Sequence, residues 1–306
     1  MRGIAVLCFG LALLLCVSTM AAEVKPPLPA QKAPIAIDEG GKVSNPPEEL
    51  QISYKFEDGQ TNRYQVRIVN RGAYRLLGSK KEQTLDTVTE MVFRQTIKAA
   101  EDGLYKVEWA LLSGVVKIPE FGESNITLPE LVYTMDERGS VKKVTGLEKL
   151  ALLPGKPQQK SLATIFGQMS FQGFPKNAVK VGDEWTRDYN AAVGEDKLAA
   201  KVKSKLVGYE KCDGYDCAKI ETKYDYPVKY EIVDKVNGKL KLEGNESGVI
   251  NTRFAYVQGK MIRSEADIKT DAKVTKADGS GDAFVKLKLN VVSRLLPAKA
   301  QTKEGG

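Results

Sequence analysis

The chain has 306 residues, 42% of them hydrophobic and 28% charged, with a formal net charge of +7 and no histidine. That composition is globular and long enough for one large core or two modest ones. The missing histidine removes the commonest general base, the usual Ser-His and Cys-His pairs and the commonest metal ligand.

The N-terminus carries an export pattern. Arg2 is a short positive region, Ile4–Val17 an apolar run, and Ser18-Thr19-Met20-Ala21-Ala22 supplies small residues for cleavage. Residues 1–22 therefore read as a signal peptide. The apolar run is short for a membrane span, and no later segment is apolar enough to form one. Residues 23–48 hold Pro26, Pro27, Pro29, Pro34, Pro46 and Pro47 and read as a disordered linker.

Structure is expected from residue 49. Ile52, Tyr54 and Phe56 alternate, Glu57-Asp58-Gly59 turns, and Tyr64, Val66 and Ile68 alternate on the return, which predicts a hairpin with one wet face. Met91–Ala99 and Tyr105–Leu111 form a second pair around Glu101-Asp102-Gly103. Leu131–Met135 and Val141–Val144 form a third. Lys117–Pro129 reads as a surface loop. These segments make a first antiparallel β unit over residues 49–150.

Residues 151–175 break the pattern. Leu162, Ile165, Phe166 and Met169 fall at i, i+3, i+4 and i+7, one face of an amphipathic helix. Gly173 suits a helix C′ position and Pro175 a stop. The helix either packs on a sheet or lies as a lid over an apolar cavity, with those four residues facing the ligand.

The β pattern resumes over residues 176–296. Val179 and Val181 alternate, Gly182-Asp183 turns, and Trp185 opens a strand. Lys203–Lys211 and Cys217–Tyr224 flank Asp213-Gly214. Tyr230–Val236 and Lys239–Leu242 flank Asn237-Gly238, a strong turn dipeptide. Arg253–Val257, Met261–Lys276 and Phe284–Val292 follow, and residues 297–306 read as a frayed tail. Cys8 and Cys16 leave with the signal. Cys212 and Cys217 remain, one on each side of the turn, and in an exported protein they are expected as a structural disulfide worth about 2 kcal/mol.

The halves echo each other in order. FEDGQTNRYQV matches VGDEWTRDYNA, AAEDGLYKVEW matches EKCDGYDCAKIE, and YTMDERGSVKK matches FAYVQGKMIRS. Either the halves are duplicated or one irregular meander produces the matches. The fold class is mainly β, with curved antiparallel sheets in two such halves joined by the helix. Pro175, Val179, Val181, Gly182, Asp183 and Trp185, followed by Ala218, Ile220, Phe254, Gly259 and Lys260, resemble a family of secreted bacterial proteins of unknown function. That resemblance implies an exported β-rich protein and brings no catalytic residues. A vaguer likeness is to periplasmic lipid carriers, which place helices against the concave face of a curved sheet.

No catalytic, cofactor or metal signature is found. Ser140-Val141-Lys142-Lys143 matches S-x-x-K only formally, because residues three apart on a strand point to opposite faces. Asp183 and Glu184, like Glu120 and Glu123, read as turn and surface acids. Asp213, Asp216, Asp278 and Asp282 form no calcium loop. Tyr209, Tyr215, Tyr224, Tyr226 and Tyr230 crowd one region, either as cross-strand pairs or as a sugar- or peptide-stacking surface. No basic helix, zinc spacing or RNA-binding aromatic pattern occurs, so nucleic acid is not an expected partner. The expected function is a non-enzymatic exported protein that binds a lipid, glycan or protein partner in the bacterial envelope. The alternatives are an interaction module displayed on the linker and, last, a carboxylate hydrolase.

Overall fold

The structure is a computed structural model and describes residues 41–75, 77–119, 122–146, 171–193, 196–234, 238–276, 278–281 and 283–297. Residues 1–40, which hold the expected signal peptide and most of the expected linker, the expected helix positions Leu162, Ile165, Phe166 and Met169, and residues 298–306 lie outside that set. The strands are β1 (Thr61–Arg75), β2 (Glu82–Ala99), β3 (Tyr105–Ile118), β4 (Gly122–Asn125), β5 (Leu131–Met135), β6 (Val141–Thr145), β7 (Glu184–Val193), β8 (Asp196–Cys212), β9 (Tyr215–Asp234), β10 (Gly238–Ala255), β11 (Lys260–Lys276) and β12 (Ala283–Leu295). They form one 12-stranded antiparallel sheet in the order β6-β5-β3-β2-β1-β12-β11-β10-β9-β8-β7, with β4 added beside β3. The two halves therefore share a single sheet, joined where β1 pairs with β12.

Alternation sets the two faces. On β1, Tyr64, Val66, Ile68 and Asn70 are buried while Arg63, Arg67 and Arg71 are exposed. On β11, Ala266, Thr270, Ala272 and Val274 are buried while Asp267, Lys269, Asp271 and Lys273 are exposed. The exposed rows pair across strands, as in Arg67–Glu90, Arg71–Asp86 and Lys286–Asp271. Each such exposed pair adds at most about 1 kcal/mol, but together they cover the outer face with charge.

The sheet curls until its ends share a core. Met135 and Val141, from β5 and β6, belong to the same buried cluster as Trp185, Leu206 and Ile220, from β7, β8 and β9. The expected first strand, Leu50–Phe56, is not a sheet strand. It runs through that cluster as a strap, touching the sheet at several points. Leu50 and Val179 exchange backbone hydrogen bonds of 2.9 and 3.0 Å. The Tyr54 N–H donates to the Glu137 carbonyl at 2.6 Å and the Lys55 N–H to the Gly259 carbonyl at 3.0 Å. Gly259 has φ +61°, and a Cβ there would fall 2.2 Å from the Lys55 nitrogen, so the crossing needs glycine.

Other expectations are also corrected. Residues 171–175 are not helical, because their backbone groups serve other elements: Phe174 N–H donates to the Arg138 carbonyl and Trp185 Nε1 to the Gly173 carbonyl, both at 2.9 Å. Gly173 is not a left-handed cap. Its missing side chain leaves room for Arg187, whose guanidinium lies 1.7 Å from where a Cβ would sit. The Lys117–Pro129 loop contains β4, and Ile126 is buried at its end. The linker's last residues lack regular structure, yet Lys211 N–H donates to the Gly41 carbonyl at 2.8 Å.

Phe254 is 0% exposed and packs on Tyr54 and Phe174 with ring centroids 5.2 and 4.6 Å away. Phe254→Ala is expected to lower unfolding free energy by about 3–5 kcal/mol in urea denaturation. Leu112→Ala, at a 40% exposed position on β3, should change it by no more than about 0.5 kcal/mol.

Candidate functional site

The inner face of the curled sheet divides by chemistry. On the β1, β2, β3 and β12 side, Val66, Ile68, Met91, Val116, Leu287 and Leu289 form a second apolar cluster. On the β8 to β11 side the inner rows carry Ser204, Thr222, Glu246, Thr252 and Thr270, all buried. Between the aromatic plug at the strap and the second cluster lies a cavity of about 260 Å³. That is just below the roughly 300 Å³ at which small-molecule pockets begin.

Aromatic rings dominate its lining. Tyr64 and Phe93 flank Trp109 with centroids 5.1 and 5.9 Å away, while Tyr54, Phe56 and Phe171 close the other side. The polar lining groups are mostly engaged. Asn62 Nδ2 donates to Gln95 Oε1 at 2.9 Å, and the Tyr64 hydroxyl donates to the Met261 carbonyl at 3.1 Å. Burial pushes the Tyr64 hydroxyl well above the usual tyrosine range, so it stays a donor. Trp109 Nε1 is buried without a hydrogen-bond partner, an arrangement that costs about 1–3 kcal/mol while it persists.

A smaller cavity of about 110 Å³ lies beside the polar rows. Gln172, Ser204 and Thr222 form a closed triangle at its wall. Gln172 Nε2 donates to Ser204 Oγ at 3.3 Å, Ser204 and Thr222 share a 2.8 Å hydroxyl contact, and Thr222 Oγ1 donates to Gln172 Oε1 at 3.1 Å. Farther along the same face, Glu246 accepts from the Tyr226 hydroxyl at 2.7 Å and from Thr270 Oγ1 at 3.1 Å. Burial raises its carboxyl above the ordinary glutamate value, against these two hydrogen bonds.

The tyrosine-rich region is not one surface. Tyr224 and Tyr226 are buried in the polar interior and stack at 5.8 Å, whereas Tyr209 meets Tyr256 at 5.6 Å beside the plug. Trp185 is a core residue of that plug. Asp183 shapes the turn before it, accepting from the Lys180 N–H at 2.9 Å. Ser140 and Lys142 follow a turn, and Lys142 Nζ donates to Ser140 Oγ at 3.2 Å.

Cys212 and Cys217 are two buried free thiols where a disulfide was expected. The two-residue turn sets Cys212 opposite Tyr215 and Cys217 opposite Glu210, so the sulfurs are diagonal neighbours and not a facing pair. They pack with Ala255 and Ile262. The hydrogen bond between them lowers the Cys212 pKa and raises that of Cys217. Asp213, in the turn, holds Arg294 through contacts of 2.8 and 3.2 Å, which ties the hairpin tip to β12. Among the described residues no group of three or more His, Cys, Asp or Glu side chains is placed to hold a metal, and no helix is long and apolar enough to cross a membrane.

Neither the Trp109 cavity nor the polar rows could be assembled from the sequence. The alternation at Tyr64, Phe93 and Trp109 was visible, but not that these rings would meet Tyr54 and Phe171 across the curl.

No family model matches the chain, and no curated protein does. Solved structures give only distant similarity. DynF from the dynemicin biosynthesis pathway of Micromonospora chersina is 10% identical over 85% of this chain and 92% of its own, with a TM-score of 0.20. OmpT, an outer membrane protein of Vibrio cholerae, is 8% identical over 78% of this chain and 100% of its own, with a TM-score of 0.23. A mutant Rh. blastica porin is 7% identical over 78% and 99%, with a TM-score of 0.21. Similarity at that level carries no argument.

Because the Glu246 carboxyl is raised in the fold, the folded chain binds its proton more tightly than the unfolded chain does. Its contribution is fully present below the ordinary glutamate pKa and is lost as pH rises through the raised value. Denaturation curves from pH 4 to 8 are expected to show this decline, and Glu246→Gln should remove it.

Proposed function

We propose that this chain is an exported, non-enzymatic binding protein of the bacterial envelope whose ligand is a small, largely apolar molecule held in the Trp109 cavity. The observation that carries the reading is the aromatic void inside a sheet whose outer face is charged. A strand face toward lipid is an apolar band with charge excluded from its middle. Here the rows are reversed, with Arg, Lys, Asp and Glu outside and rings inside, as a water-facing container would have them. The void also exceeds the roughly 150 Å³ apolar cavity that holds benzene. Export rests on Arg2, the Ile4–Val17 run and the small residues that follow.

The finer architecture belongs to the same proposal. The two halves descend from one unit, with β1 answering β7, the β2–β3 hairpin answering β8–β9, and β5–β6 answering β10–β11. The strand order supports this, since each half runs in the same direction around the sheet. The likeness to the secreted family and to lipid carriers points the same way.

Native mass spectrometry of the protein purified from its own host is expected to show a co-purifying small molecule. With added ligand, tryptophan fluorescence should quench saturably in Trp185→Phe and not in Trp109→Phe. Ser293→Phe, which places a ring in the cavity lining, should weaken binding at least roughly tenfold while the thermal midpoint stays near the parent's. A clean apo mass together with no quenching would overturn the reading.

A further inference from the structure

On the reading of the cavity as a ligand site, its lining sorts ligands by charge. Lys55 and Lys260 contribute to it, and no aspartate or glutamate does. Lys55 Nζ donates to the Val257 carbonyl at 2.7 Å, and Lys260 Nζ stands 5.2 Å from the Tyr215 ring centroid. Neither has a carboxylate partner among the described residues.

The second observation is the Trp109 indole. Its N–H is buried with no acceptor, and the ring is wedged against Tyr64, Phe93 and Phe171, the last at 6.4 Å. A ring packed on three sides cannot swing out to find an acceptor. An indole N–H only donates, and an ammonium only donates. Among the described residues of the lining, the buried Trp109 N–H has no partner and asks for an oxygen acceptor, and two lysines with no carboxylate in the lining favour one that is anionic. A cationic ligand would meet two like charges and leave the indole unsatisfied.

We infer that the ligand is a short anionic amphiphile: a single acyl or aryl body among the rings, and a carboxylate or phosphate head that accepts from Trp109 and answers Lys55 and Lys260. The volume limits the body to one short chain. Both heads share the chemistry the lining requires, and direct comparison separates them.

The test titrates the full mature chain with octanoate, octyl phosphate, octanol and octylammonium by calorimetry. One of the two anions should bind about tenfold or more tighter than octylammonium, with octanol between them, and the tighter anion names the head group. The double variant Lys55→Gln/Lys260→Gln should lose the preference for the anion and keep its octanol affinity. In ¹H–¹⁵N spectra the Trp109 indole resonance, assigned through Trp109→Phe, should move downfield when the anion is bound. If octylammonium binds as well as the anions, or the double variant keeps the anion preference, the charge inference is overturned and the cavity reading stands. If none of the four binds, both fall.

Discussion

Tyr54 is where this fold is held closed. Its ring lies against Phe56 at 5.1 Å, Phe174 at 5.1 Å, Phe254 at 5.2 Å and Phe171 at 6.1 Å. Its backbone reaches the β5–β6 turn, and the next residue reaches the β10–β11 turn. A sheet of this width has two edges, and an edge left open invites pairing with another chain. The strap and the 171–179 segment fasten the two ends of the sheet to each other through a shared aromatic core, although β6 and β7 do not pair. Burial of that core supplies the closing free energy, because aromatic rings bring the largest apolar area per residue.

Closure has a consequence for the interior. The strap fills one end of the curl, and the apolar cluster on β1, β3 and β12 fills the region above it. The two packings do not merge, and the cavity lies between them. Tyr64, Phe93 and Trp109 belong to its wall because alternation turns them inward, while Arg63, Arg67 and Arg94 on the same strands turn outward. The inward polar rows of β8 to β11 satisfy one another. Ser204 meets Thr222 and Gln172, and Glu246 meets Tyr226 and Thr270. The unpartnered Trp109 donor in the cavity lining stands apart from that pattern.

Much of the β-sheet was legible in the sequence. The turns at Asp102-Gly103, Asp213-Gly214 and Gln258-Gly259 lie where their dipeptides placed them, with positive φ at each glycine. Alternation identified the inward rows of β1 and β12 residue by residue. The misreadings share one cause. Ile52, Tyr54 and Phe56 alternate as a strand would, and Gly173 followed by Pro175 resembles a helix end, but neither local pattern reveals what claims the backbone hydrogen bonds. Cys212 and Cys217 flank a turn, yet whether such a pair faces directly or diagonally depends on the register that the two-residue turn imposes.

By itself, the sequence determined the β class, the hairpins that follow the strap and the inward faces, because these depend on neighbours two residues apart and on turn dipeptides. Only the tertiary structure decided that the halves form one sheet, that it curls, and that the strap closes it. It also decided that Tyr54, Phe93, Trp109 and Phe171 surround a common void. Those outcomes rest on contacts between residues far apart in the chain, such as Tyr64 with Met261 and Lys55 with Val257, separated by 197 and 202 positions. No local periodicity encodes which of many apolar rows will meet once the sheet bends.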